Sequence, residues 1–200
     1  MIRVLYVDAC PRGEASRSRK LAEAFLGAMD PERVTVEVQS LPQMHLMPVD
    51  GEPLAERERQ CDLQDWEHPM FRYARTFQAS DLVVIAAPYW DLSFPSMLKV
   101  WVEHMFIRNL TFVYRENKPV GLCRGRKLVY LTSAGSPIGE NDWGYGYIRA
   151  VAQMLGIPET ECVRAEGLDL EGADTDGIMH AALEAAESAG RRTLAQLSAS

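Results

Sequence analysis

Cysteine is scarce in this chain of 200 residues, and the four present (Cys10, Cys61, Cys123 and Cys162) show neither a CxxC pair nor metal-ligand spacing. No metal centre or disulfide scaffold can be read from such a pattern. Scattered free thiols fit a reducing cytosol, so a cytoplasmic location is expected. The four histidines, His45, His68, His104 and His180, also lack ligand-like spacing, and none is assigned a catalytic role. Positive charge is in deficit, with 21 Lys and Arg against 28 Asp and Glu for a net charge of -7. A surface of that sign repels nucleic acid and anionic membranes. Apolar runs of membrane-spanning length are missing. The amino terminus leads straight into Ile2-Arg3-Val4-Leu5-Tyr6-Val7, without the basic and long apolar segments of a signal peptide. Neither GxxxxGK(S/T) nor GxGxxG occurs, which removes a triphosphatase loop and a Rossmann dinucleotide site.

What remains is an alternation of short apolar strands with amphipathic helices. With 47% hydrophobic and 24% charged residues the composition is that of a globular chain. No repeat or linker divides it, so residues 1–200 are read as one domain. The spacing predicts strands at 2–8, 33–39, 81–87, 127–132 and 160–167, with Val34, Val36 and Val38 on one face of the second. Helices are predicted from Ser16 to Asp30-Pro31, over 94–108, 145–155 and 176–197, with two weaker ones in 54–64 and 71–77. Residues 41–53 read as a loop and 111–123 as a short hairpin or an extended excursion. Strands alternating with helices give a parallel sheet wound by right-handed crossovers. Five of them fit an α/β, flavodoxin-like three-layer sandwich with strand order 2-1-3-4-5.

In such open sheets ligands bind outside the carboxyl ends of the strands, where the order reverses. The loops leaving strands one, three and four are therefore the candidate site: 9–18, 88–93 and 133–139. The first leads into a helix amino terminus, whose free N–H groups and dipole favour an anion. Ser16 and Ser18 add hydroxyls and Arg17 adds charge, although Ser16 also suits a plain N-cap. Arg12, Arg17, Arg19 and Lys20 against Glu14 alone make a basic island in an acidic chain. The second loop sets Tyr89 and Trp90 beyond a buried strand, where a planar ring could cover them. In the third, Gly135 permits close backbone approach. From Glu159 to Glu187 nine acids stand against Arg164 alone, read as a solvated face.

Taken together, these loops resemble the FMN-dependent azoreductase and NAD(P)H:quinone oxidoreductase family of the flavodoxin-like superfamily. The strongest stretch is APYWDLSFPSMLKVWVEHMFIRNLTFVY, residues 87–114, within a likeness covering roughly the first 165 residues. The resemblance implies a phosphate-binding serine turn at Ser16, Arg17 and Ser18, with Cys10 where the family often has serine. It implies a ring-contacting loop of Pro88, Tyr89, Trp90, Asp91 and Leu92, and a further flavin loop of Ser133, Ala134, Gly135 and Ser136. Asp91 stands where asparagine is common, and Ser-Ala-Gly-Ser where Ser-Arg-Gly-Gly is common. Tyr114 corresponds to a substrate-pocket tyrosine. The implied cofactor is FMN, the donor NADH or NADPH, and the partner a small aromatic acceptor such as a quinone or azo compound. No catalytic residue or metal is expected, because the flavin carries the chemistry.

The 94–108 helix carries two apolar stripes, Phe94, Leu98, Trp101 and Met105 beside Met97, Val100 and Ile107, with Lys99 and Glu103 paired on its polar side. A helix apolar over so wide an arc is deeply buried or shared with another subunit. The resembling family is dimeric, and a homodimer through this helix is expected. An ionised Asp91 near the flavin would lower its reduction potential. Two competing readings stay open: a flavin-bound electron carrier to a redox protein, and a flavin-free binding domain.

Overall fold

The computed structural model describes residues 1–199. Its five parallel strands are β1 (Ile2–Asp8), β2 (Val34–Ser40), β3 (Leu82–Ala86), β6 (Lys127–Ser133) and β7 (Glu159–Ala165), and their order is β2-β1-β3-β6-β7. That is the expected 2-1-3-4-5 order of a flavodoxin-like fold. A separate antiparallel pair, β4 (Phe112–Arg115) and β5 (Lys118–Gly121), forms the predicted hairpin. The central strands β3 and β6 are buried along their whole length, because helices cover both faces of a parallel sheet.

On one face lie α1 (Arg17–Gly27) and α7 (Thr175–Ser198). They pack Leu21, Phe25, Ala182, Ala186 and Ala189 on Val4, Tyr6, Val84 and Val129. The other face carries α2 (Leu41–Met44), α3 (Gly51–Leu63), α4 (Arg72–Ala79), α5 (Ser96–Met105) and α6 (Trp143–Leu155). Its core is aromatic, with Phe71, Phe77, Trp101 and Tyr130. Trp101 meets Phe77 edge-on at 5.6 Å between ring centres and donates its indole N–H to Gln39 at 2.7 Å.

Four expectations change. Residues 41–53 are not a plain loop, since α2 and the start of α3 fall within them. The 94–108 helix is shorter. It starts after Pro95 and ends at Met105, whose carbonyl accepts from the Thr111 hydroxyl at 2.6 Å while Thr111 Oγ1 also accepts from the Ile107 N–H at 3.0 Å. A side chain six residues away thus terminates it, which local spacing does not reveal. The valine face of β2 is not covered, for Val36 and Val38 are exposed. The α1/α7 pair sits chiefly over β3, β6 and β7 rather than this edge strand. The acidic stretch is not merely solvated: Glu161 takes Lys127 at 2.6 Å and Arg192 at 2.8 Å, and Asp169 takes Arg17 at 2.9 Å.

Candidate functional site

At the carboxyl edge, beside the β1/β3 switch point, lies a cleft of about 290 Å³. It is at the small end of ligand sites, which span about 300–1,000 Å³. All three predicted loops reach it, through Ser16 and Arg17, Pro88, Tyr89 and Trp90, and Ser133, Ala134 and Gly135. Backbone hydrogen bonds lace the walls together. The Tyr89 N–H donates to Ser133 O at 2.9 Å and the Ala134 N–H to Ala165 O at 2.8 Å.

Local chemistry explains each side chain's place. Ser16 is the N-cap of α1, its hydroxyl accepting from the Arg19 N–H at 3.4 Å. The other first-turn N–H groups of α1 have no intrahelical acceptor, and beside Arg12 and Arg17 they make this end of the helix electropositive, a setting that favours an anion. Arg19 turns away to Glu23 at 2.9 Å. Ser18 is fully buried and shares a hydrogen bond of 2.8 Å with Ser133, so it clamps α1 to the loop after β6 rather than lining the cleft. Cys10 is also fully buried, with its thiol 3.5 Å from Ala86 O. Burial pushes that thiol up to about 12, so it stays neutral. The loop after β3 adds Pro88, Tyr89 and Trp90 to the cleft lining, with Trp90 38% exposed. Burial, then the negative charges of Asp142 and Glu166, hold the Tyr89 phenol above its ordinary value.

Asp91, Leu92 and Ser136 do not line the cleft. Asp91 and Leu92 are the two central residues of a tight turn, with φ of 50° and 66°, closed by reciprocal backbone hydrogen bonds between Trp90 and Ser93. Both at positive φ is the type I′ geometry. Aspartate tolerates it, whereas it strains leucine. Asp91 thus sits at an exposed turn tip, where water screens its charge. Tyr114 is exposed on a hairpin whose base is tied to the carboxyl end of α6 through Cys123 N–H to Leu155 O at 3.2 Å. That is the amino edge of the sheet, opposite the cleft.

Pro11, Arg12 and Ala15 line the cleft from within the predicted loop 9–18 without having been singled out as cofactor contacts, whereas Leu168 and Asp169 were missed altogether. The last two belong to the loop after β7, a fourth carboxyl-edge loop that the same positional rule would have nominated. A second hollow of about 390 Å³, near Leu46, Met70, Phe71 and Ile107, is apolar. It lies away from the switch point, and its Arg57 is committed to Glu103 O at 3.2 Å. Among the described residues no cluster of His, Cys, Asp or Glu could hold a metal, and no helix is long and apolar enough to cross a membrane.

The donor set fits a flavin mononucleotide: a helix amino terminus and two arginines suit a phosphate, and two aromatic side chains suit a planar ring. Known proteins agree with that chemistry. An FMN-dependent NADH:quinone oxidoreductase of Clostridium acetobutylicum is 32% identical over 197 residues, covering 94% of this chain and 97% of that protein. Another, from Stenotrophomonas maltophilia, is 34% identical over 174 residues, covering 84% and 85%. The crystal structure of a Bacillus anthracis FMN-dependent NADH-azoreductase in complex with FMN superposes with a TM-score of 0.85 at 25% identity, covering 97% and 100%. The model of the flavodoxin-like fold family matches residues 2–189. With that match over nearly its whole length, and relatives at this identity, the chain belongs to the flavodoxin-like fold family.

Proposed function

We propose that this protein is an FMN-dependent oxidoreductase that takes electrons from NADH and delivers them to quinones, azo compounds or similar small aromatic acceptors. The observation that carries the reading is the meeting of the α1 amino terminus, Arg12 and Arg17 with Tyr89 and Trp90 in one switch-point cleft. Relatives named for NADH, FMN and quinones support it. When bound, FMN supplies the two-electron chemistry. The protein's share is to hold and expose it. The first turn of α1, with Arg12 and Arg17, would take the phosphate. Tyr89, Trp90, Ala134 and Gly135 would border the ring, and Cys10 and Ser18 support the loops from beneath. Small residues at 134 and 135 let the main chain come close to a ring, while the Ala134 N–H stays committed to Ala165 O.

The test is direct. Purified protein mixed with FMN and desalted should stay yellow, and anaerobic NADH should bleach it within seconds. Failure to retain FMN overturns the reading. Retention without reduction by NADH favours the electron-carrier alternative.

A homodimer is the second part of the proposal. Tyr114 cannot serve the cleft of its own chain from a hairpin tied to the far edge, so a substrate-pocket role for it requires a second copy. The outer side of α5 supports this, with an open hollow where Val49, Leu54, Phe106 and Tyr147 stand beside the charged Arg57, Lys99 and Glu103. A monomeric mass at micromolar concentration would sink it. We further place the enzyme in the cytoplasm, on its free thiols.

A further inference from the structure

Two charged side chains that line the cleft pair with each other. Arg17 comes from the first turn of α1, Asp169 from the loop after β7, and their Nη1 and Oδ1 atoms are 2.9 Å apart. Neither the sequence pattern nor the proposed chemistry needs an acid at this point. A carboxylate beside a phosphate site is electrostatically costly, because like charges at close range disfavour each other.

The position of Asp169 is built into the fold. Its backbone N–H donates to Gly135 O at 2.9 Å, and the neighbouring Leu168 N–H donates to Ala134 O at 3.2 Å. A Cβ at Gly135 would meet the Asp169 carboxylate, so a side chain there would displace that carboxylate from its present position. The loop therefore brings this carboxylate against the cleft wall, and glycine at 135 makes the space. Arg17, in contrast, is held by one exposed ion pair. The side chains are 36% and 69% exposed, a setting in which such pairs contribute little and exchange readily.

We infer that Asp169 is a specificity-determining residue: it competes with the cofactor's phosphate for Arg17 and so sets how strongly the cleft prefers a phosphorylated flavin over riboflavin. In the free protein Arg17 is occupied by Asp169. A phosphate at the α1 amino terminus draws the guanidinium away and leaves the carboxylate facing a dianion. Asp169 thereby weakens FMN binding selectively and makes cofactor uptake dependent on ionic strength. This rests on the FMN reading proposed above.

The test compares FMN and riboflavin affinities by quenching of flavin fluorescence on apoprotein, a readout independent of turnover. Asp169→Asn should tighten FMN by about three- to tenfold at low salt and change riboflavin by less than about twofold, as befits an exposed pair. Asp169→Glu, which keeps the charge, should stay near the parent preference. In an Arg17→Gln background the Asp169→Asn gain should shrink. Unchanged or weaker FMN binding in Asp169→Asn would overturn the inference, as would an equal gain for riboflavin. A parent protein that binds neither flavin would instead overturn the FMN reading itself.

Discussion

The two faces of the sheet are built on opposite plans. Between α1 and α7 the alanines and Gly190 of α7 let the two backbones approach directly: a Cβ on Gly190 would strike the backbone Phe25 O. Over the other face the core is made of large rings, and its outer layer is left with hollows beside α3 and α5. Close-packed interiors transmit displacement and loosely filled surfaces absorb it. The α1/α7 face thus fixes the helix whose amino terminus is the proposed phosphate site. The aromatic face provides stability and leaves surface free for contact.

The sharpest way to break this contrast is at Trp101. Trp101→Ala should cost about 3–5 kcal/mol, since it empties the centre of the aromatic core and strips Gln39 of its donor. Its FMN affinity, measured well below the melting point, should change less than about twofold if that face is remote from the anion site. A large loss of affinity would show that both faces position the cleft.

Gly190→Ala should have a smaller effect on stability, about 1–3 kcal/mol for overpacking, and a larger one on the cofactor. Pushing α7 off Phe25 tilts α1, so FMN affinity should fall several-fold by fluorescence titration. Full affinity in a destabilised Gly190→Ala protein would contradict the proposed rigidity of this face.

The smallest effect is a pH dependence. Burial raises the Glu161 carboxyl, but hydrogen bonds and charge from Lys127 and Arg192 outweigh it and hold the group below its ordinary value. A depressed carboxylate stabilises the fold above its unfolded pKa, and the contribution is lost as pH falls through the folded value. Stability to urea should therefore decline as pH drops below about 4.3, the ordinary Glu value. Arg192 lies on α7, so the α1/α7 face should loosen with it. Lys127→Met should lower stability at neutral pH and flatten the decline. An unaltered slope would show that other carboxylates govern it.

Much of this was legible without coordinates. Buried strands such as 82–86 and 127–133 are continuous apolar runs, and the alternation of strand and helix leaves few topologies. The phosphate end was legible because a strand, a turn and a serine-capped helix are adjacent in the chain. Asp169 was not, since it reaches the cleft from 152 residues beyond Arg17 and does so only after β7 has docked. Nor was the early end of α5, set by Thr111 from beyond the helix.

The sequence by itself determined the class of fold, the order of its strands and the edge at which a ligand binds, because periodicity and crossover handedness are local and chiral constraints. Only tertiary structure decided which side chains face the cleft. It buried Cys10 and Ser18, turned Asp91 outward and brought Asp169 to Arg17. The physical reason is that a side chain's direction depends on the turn that carries it and on the neighbours that leave it room, and those neighbours come from distant parts of the chain.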